Sequence, residues 1–97
     1  DLLIVSCILS DPSGFGRVIR DANGAFQKIV EDRDCSAEER EVREINAAIY
    51  CADLGVLREA IPQLTPHNAQ GELYFTDTAE ISHRAGRRVA VACVREW

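Results

Sequence analysis

Residues 2–9 read LLIVSCIL, apolar at every position except Ser6. A short run so rich in Leu, Ile and Val is the pattern of a strand flanked by neighbours and covered on both faces, as in a parallel or mixed sheet. The turn residues Asp11-Pro12-Ser13-Gly14 break it. Beyond the break, residues 17–20 and 25–31 flank Asp21-Ala22-Asn23-Gly24, and Asn-Gly between two extended segments predicts a β-hairpin. Two further strands are expected over residues 44–52 (EINAAIYCA) and 88–96 (RVAVACVRE). Short helices fall between them. Ser36 with Glu39 has the capping-box spacing. Asp53 can cap a helix carrying Leu54, Leu57 and Ile61 on one face and limited by Pro62. Thr76 or Asp77 can cap another that ends at Gly86. Strands and helices mixed in this order predict an α/β domain, or half of one.

The chain has 97 residues, enough for one hydrophobic core. With 46% hydrophobic and 28% charged residues its composition is that of a folding chain, not a disordered one. Sixteen acidic residues against eleven basic ones give a net charge of -5, which supplies no global positive field for a nucleic-acid backbone. No apolar run approaches the roughly 20 residues that span a bilayer, so no membrane association is expected. The chain opens on Asp1 with apolar residues directly behind it and no secretory signal pattern, a beginning expected of a piece of a longer polypeptide.

Four cysteines stand at positions 7, 35, 51 and 93, with no C-x-x-C pair and no histidine close by. Zinc-ligand spacing is absent. Cys7, Cys51 and Cys93 lie in apolar runs and are expected to be buried, reduced thiols, which fits a cytoplasmic protein. Cys35, among charges, is expected to be exposed.

Four groups of residues offer chemistry. Gly14-Phe15-Gly16 precedes Arg17, but a dinucleotide fingerprint needs glycine where Ile19 stands and a helix where a strand is expected. A glycine turn can instead bring backbone close to an oxygen ligand, or it can be only a turn. Glu31 stands at the polar end of an apolar strand. Asn46 lies inside another, where its carboxamide must be paired. Either could hold hydroxyl groups or merely finish a strand. Residues 68–72 (NAQGE), followed by Tyr74, Thr76 and Asp77, carry more hydrogen-bonding side chains than a connector requires, although a helix cap would account for some of them.

Taken in order, DPSGFGRV, IVEDRDCSAEEREVREIN and NAQGELYFTD resemble the uridylyltransferase domain of the bacterial bifunctional N-acetylglucosamine-1-phosphate uridyltransferase/glucosamine-1-phosphate acetyltransferase family. The likeness runs over residues 3–94. It implies the second half of a nucleotidyltransferase-type, Rossmann-like mixed sheet with a hairpin and short helices, with residues 1–97 as the sugar-binding part of that domain. By resemblance, Gly16, Glu31 and Asn46 hold the sugar nucleotide. Tyr74 and Thr76 belong to the segment, residues 68–77, that lines the sugar side of the pocket. Here Leu73 and Phe75 depart from the family pattern, and Ala47-Ala48 replace its Thr-Gly.

The implied reaction is attack by the phosphate of N-acetylglucosamine 1-phosphate on the α-phosphorus of UTP, giving UDP-N-acetylglucosamine, a peptidoglycan precursor, and pyrophosphate. The family's glycine-rich triphosphate loop, its downstream lysine and the Asp and Asn that ligate Mg2+ do not occur in these 97 residues. The resemblance therefore implies that this chain alone does not turn over UTP, that Mg2+ is bound by ligands outside it, and that the parent enzyme is a homo-oligomer. Another hexose-1-phosphate nucleotidyltransferase, or a non-catalytic sugar-binding or assembly module, stays open as an alternative.

Overall fold

The strand expected first in the sequence, β1 (Leu2–Ile8), lies between β4 (Glu44–Ala52), to which it is antiparallel, and β5 (Val89–Val94), to which it is parallel. These coordinates are a computed structural model that describes residues 1–95. Strands β2 (Arg17–Arg20) and β3 (Phe26–Val30) form the expected hairpin, and β2 joins β4 where Arg17 meets Ile45. The sheet thus runs β3-β2-β4-β1-β5 and is mixed, in the α/β class that the sequence indicated. At the hairpin turn the Asp21 carboxylate accepts from the amides of Asn23 (2.8 Å) and Ala25 (3.0 Å), and Gly24 adopts φ +83°. Residues 88 and 95 lie outside β5, and Glu96, the last residue of the strand expected there, is outside the described residues.

Helices α2 (Leu54–Ala60) and α3 (Asp77–Arg84) cover one face of the sheet. The core forms there from Leu2, Ile4, Val18, Phe26, Ile29, Val56 and Ala79. The short α1 (Ala37–Arg40) carries the expected capping box, with Ser36 and Glu39 bonded reciprocally. Helix α2 is rotated from expectation. Its buried residues are Val56 and Ala60, whereas Leu54 and Ile61 are 60% and 47% exposed. The connection from β4 is the single residue Asp53, whose amide donates to the Asp1 carbonyl (2.9 Å) and whose side chain makes no capping bond. So short a tether sets the helix's rotation regardless of which face is more apolar.

No described helix lies against the other face of β4, β1 and β5. Leu3 and Ile49 there are 38% and 56% exposed, while Cys7, Ile45 and Arg17 on the same face are buried, so the second cover expected for β1 is present at its Cys7 end and open at its Leu3 end. The same geometry corrects the cysteines. Cys7 is buried, whereas Cys51, in register with Leu3, is exposed because it turns away from the helices, and Cys93 is exposed although it follows Val89 and Val91 on the core-facing side of β5. Cys35 is half-buried, and burial pushes its thiol up. No helix among the described residues is long and apolar enough to cross a membrane.

Ser6, fully buried on the core side of β1, donates to Glu44, and Glu44 also accepts from Arg20 Nε (2.7 Å) and Nη2 (2.9 Å). The Arg20 bonds, helped by Ser6 and opposed by burial, hold the Glu44 carboxyl below the ordinary glutamate value of 4.5. A carboxylate depressed in the folded state contributes stability above its unfolded pKa and loses it as pH falls through the folded one. Glu44→Gln is therefore expected to lower the thermal midpoint at neutral pH by an amount that shrinks as pH drops below 4.5. An equal deficit at pH about 3 and about 7 would contradict the linkage.

Candidate functional site

The turn before β2 contains two glycines needed for different reasons. Gly14 has φ +86° with open space where a Cβ would stand, so its backbone conformation is what favours glycine. Gly16 has no such torsion. A Cβ there would lie 3.2 Å from Glu31 Oε2 and 3.3 Å from Ile29 Cγ2, so the position is glycine because another side chain lies against it. The Gly16 carbonyl accepts from the amide of Asn46 at 2.9 Å. Three motifs far apart in sequence therefore meet at Gly16.

Arg17 secures this junction. It is 2% exposed and donates to Asp32 Oδ1 (2.8 Å) and to the carbonyls of Phe15, Arg40 and Val42. Glu31 directly follows β3 and stands at the N-cap of the short 3-10 turn Asp32–Asp34. The buried hydroxyl of Thr76 donates to Glu31 Oε1 at 3.0 Å. Thr76 does stand at the N-cap of α3, yet its side chain makes no capping bond. It holds a carboxylate instead, leaving Oε2 over Gly16.

Asn46 is paired, as its place in an apolar strand requires. Its Oδ1 accepts from the Ala48 amide (3.0 Å) and its Nδ2 donates to the Tyr50 hydroxyl (2.6 Å). The β1–β4 register passes from Val5 opposite Ile49 to Ser6 opposite Asn46, which loops out Ala47 and Ala48, and Ala48 takes φ +61°. The Tyr50 ring meets Phe75 edge to face, with centroids 5.2 Å apart. Tyr50 was not singled out in the sequence, and Phe75 was noted there only as a departure from the family pattern. Their only signal there is an aromatic four residues after Asn46 and another just before Thr76.

Tyr74 lies beside Glu31. With Asp34, Asn68, Asp77 and Glu80, both line a cavity of about 230 Å³. Asn68 mainly builds its own loop, with Oδ1 accepting from the amides of Gln70 (3.1 Å) and Glu72 (3.2 Å), while Gln70 Nε2 donates to the Tyr74 hydroxyl (2.8 Å). Burial, followed by the charges of Glu80, Glu31 and Asp34, raises the Asp77 carboxyl above the usual range. Gly16, Glu31, Asn46 and Thr76 thus form one connected group, and Tyr74 adjoins it through Glu31. Three larger clefts, of about 380 Å³ beside Asp1 and Arg88, about 470 Å³ beside Gln63 and Arg84 and about 330 Å³ beside Gln27 and His83, contain none of these five residues. Among the described residues no three His, Cys, Asp or Glu side chains are grouped to hold a metal ion. The arrangement offers a carboxylate, a carboxamide and two phenols around a glycine surface, groups that suit hydroxyl-rich ligands.

No protein-family model matches the chain. Over 89 residues, 92% of its length, it is 47% identical to the bifunctional protein GlmU of Caldanaerobacter subterraneus subsp. tengcongensis. It is 45% identical over 91 residues to the GlmU of Clostridium tetani and 49% identical over 86 residues to that of Corynebacterium aurimucosum. The chain spans about a fifth of these relatives, 20%, 20% and 18% of their lengths. Among solved structures, a Bacillus anthracis protein assigned as a glucose-1-phosphate thymidylyltransferase, in complex with a sucrose, superposes with a TM-score of 0.70. The match covers 99% of this chain and 36% of that one at 24% identity, and shows a shared fold.

Proposed function

We infer, from this homology to one fifth of the bifunctional GlmU proteins, that the chain is the sugar-binding part of a uridylyltransferase domain. The parent enzyme joins the phosphate oxygen of N-acetylglucosamine 1-phosphate to the α-phosphorus of UTP as the α–β phosphoanhydride breaks and pyrophosphate leaves. Such transfers rest on positioning and charge neutralisation more than on covalent help. The observation that carries the reading is the meeting of Gly16, just before β2, Glu31, just after β3, and Asn46 of β4, with Thr76 fixing the carboxylate. Glu31 would accept from sugar hydroxyls, Asn46 would pair with a hydroxyl or the acetamido group, and Gly16 would let the ring approach the backbone. Tyr74 and Thr76 would complete the sugar side. Among the described residues no acidic cluster is grouped to hold magnesium.

Titrating 15N-labelled chain with N-acetylglucosamine 1-phosphate tests this. The expected result is millimolar-range binding that shifts the amides of Gly16 and Asn46. UTP should leave both largely unmoved. Glu31→Gln, which removes the charged acceptor, should weaken sugar binding by about 1 to 3 kcal/mol. Equal response to UTP and sugar phosphate, or unchanged affinity in Glu31→Gln, would reject the assignment.

A further inference from the structure

We propose that Tyr50 is a positioning residue for sugar binding, fixing which end of the Asn46 carboxamide faces the ligand and keeping its own hydroxyl proton available to donate. The inference rests on the sugar-binding reading and extends it to a residue that reading does not use.

The logic is one of donors and acceptors. A carboxamide can be turned end for end with almost no change in shape, so only its partners decide which end points where. The Ala48 amide can only donate, and it lies 3.0 Å from the carboxamide, which places Oδ1 there. Nδ2 is thereby turned to Tyr50, 2.6 Å from its hydroxyl. Because Nδ2 has only protons to give, the phenol oxygen accepts, and its own O–H points elsewhere. A hydroxyl facing a binding site in this state is a donor for a ligand carbonyl or hydroxyl oxygen.

The surroundings support that role. Tyr50 is half-buried against the core, and its ring is steadied by Phe75, which directly precedes Thr76. Burial pushes the phenol above its ordinary value and the Glu31 charge adds to the shift, while the Asn46 bond opposes it, so the group stays protonated at neutral pH. Glu31, held by Thr76, faces the same region as an acceptor. The bulge at Ala48, in the left-handed region that a residue with a Cβ rarely occupies, is pinned by Asn46 Oδ1. Phenol, carboxamide and bulge thus form one chain of bonds, in which each member sets the direction of the next.

The experiment compares the wild-type chain with Tyr50→Phe, which keeps the ring against Phe75 and removes only the hydroxyl. N-acetylglucosamine 1-phosphate is the probe, and the side-chain amide resonances of Asn46 are followed with its affinity. The expected outcome is a displaced Asn46 carboxamide signal and a threefold to tenfold loss of affinity, about the size of one hydrogen bond, with the thermal midpoint little changed. Wild-type binding with unchanged affinity in Tyr50→Phe would overturn this inference alone. No sugar binding by the wild-type chain would overturn the underlying reading and this inference with it. Should Tyr50→Phe fail to fold, the wild-type chain still decides. A nuclear Overhauser contact between the Asn46 carboxamide protons and the Tyr50 ring supports the proposal, and its absence overturns it.

Discussion

Replacing Arg17 with methionine is expected to destabilise the folded chain by about 3 kcal/mol, a large share of what a small domain has in total. The guanidinium is 2% exposed and gives its donors to three backbone carbonyls and to Asp32. Methionine fills much of the volume and satisfies none of them. The cost is therefore that of leaving buried acceptors unpaired, in addition to losing an ion pair. Arg20 is the control. Its pair with Glu44 has a similar length, but its side chain is 34% exposed, and Arg20→Met should cost about 1 kcal/mol or less. Denaturant midpoints at unchanged slope measure both. Near-equal losses for the two arginines would show that burial does not govern the difference.

Gly16→Ala is expected to lower sugar affinity about tenfold or more, roughly 1.4 kcal/mol, while Gly14→Ala leaves affinity unchanged and lowers stability. The two glycines are two residues apart but fail in different ways. A methyl group at Gly16 presses on Glu31 Oε2 and Ile29 Cγ2 at 3.2 and 3.3 Å. The flexible carboxylate is the partner that yields. Moving it breaks the Thr76 bond and takes the acceptor from its place in the site. At Gly14 the methyl group meets nothing, but φ +86° strains any residue with a Cβ, at a cost of about 1 to 2 kcal/mol. Isothermal titration with N-acetylglucosamine 1-phosphate, set beside thermal melts of both variants, separates the effects. Loss of affinity in Gly14→Ala equal to that in Gly16→Ala would remove the contact argument.

Local chemistry was legible in the sequence wherever it sufficed to decide the structure. The hairpin follows from Asn23-Gly24 between extended segments, and the capping box follows from Ser36 and Glu39. Gly16, Glu31, Asn46 and Thr76 were singled out from their types, positions and family resemblance, and the structure connects them. What stayed hidden depends on contacts across long sequence intervals. Leu54 has the hydrophobicity of an inward residue, yet the one-residue tether at Asp53 turns Val56 and Ala60 inward in its place. Cys51 sits in an apolar run, but which side of a strand is covered depends on where the helices lie. Tyr50 gave no motif of its own, because its role exists only once the bulge at Ala48 brings it back to Asn46.

The place of β1 has a consequence for the order of events as the chain folds. Leu2 lies opposite Ala52 on one side and Val89 on the other. Both partners of β1 therefore lie far along the sequence, one reached across the interval from Leu2 to Ala52 and the other across that from Leu2 to Val89. The β2–β3 hairpin needs only the connection over residues 21–25 to close, and pairings of such short separation form in about 1 to 10 μs. Pairings that must close long loops come later and slow the whole reaction. Within these residues the long-range pairings of β1 are thus expected to form after the hairpin has closed.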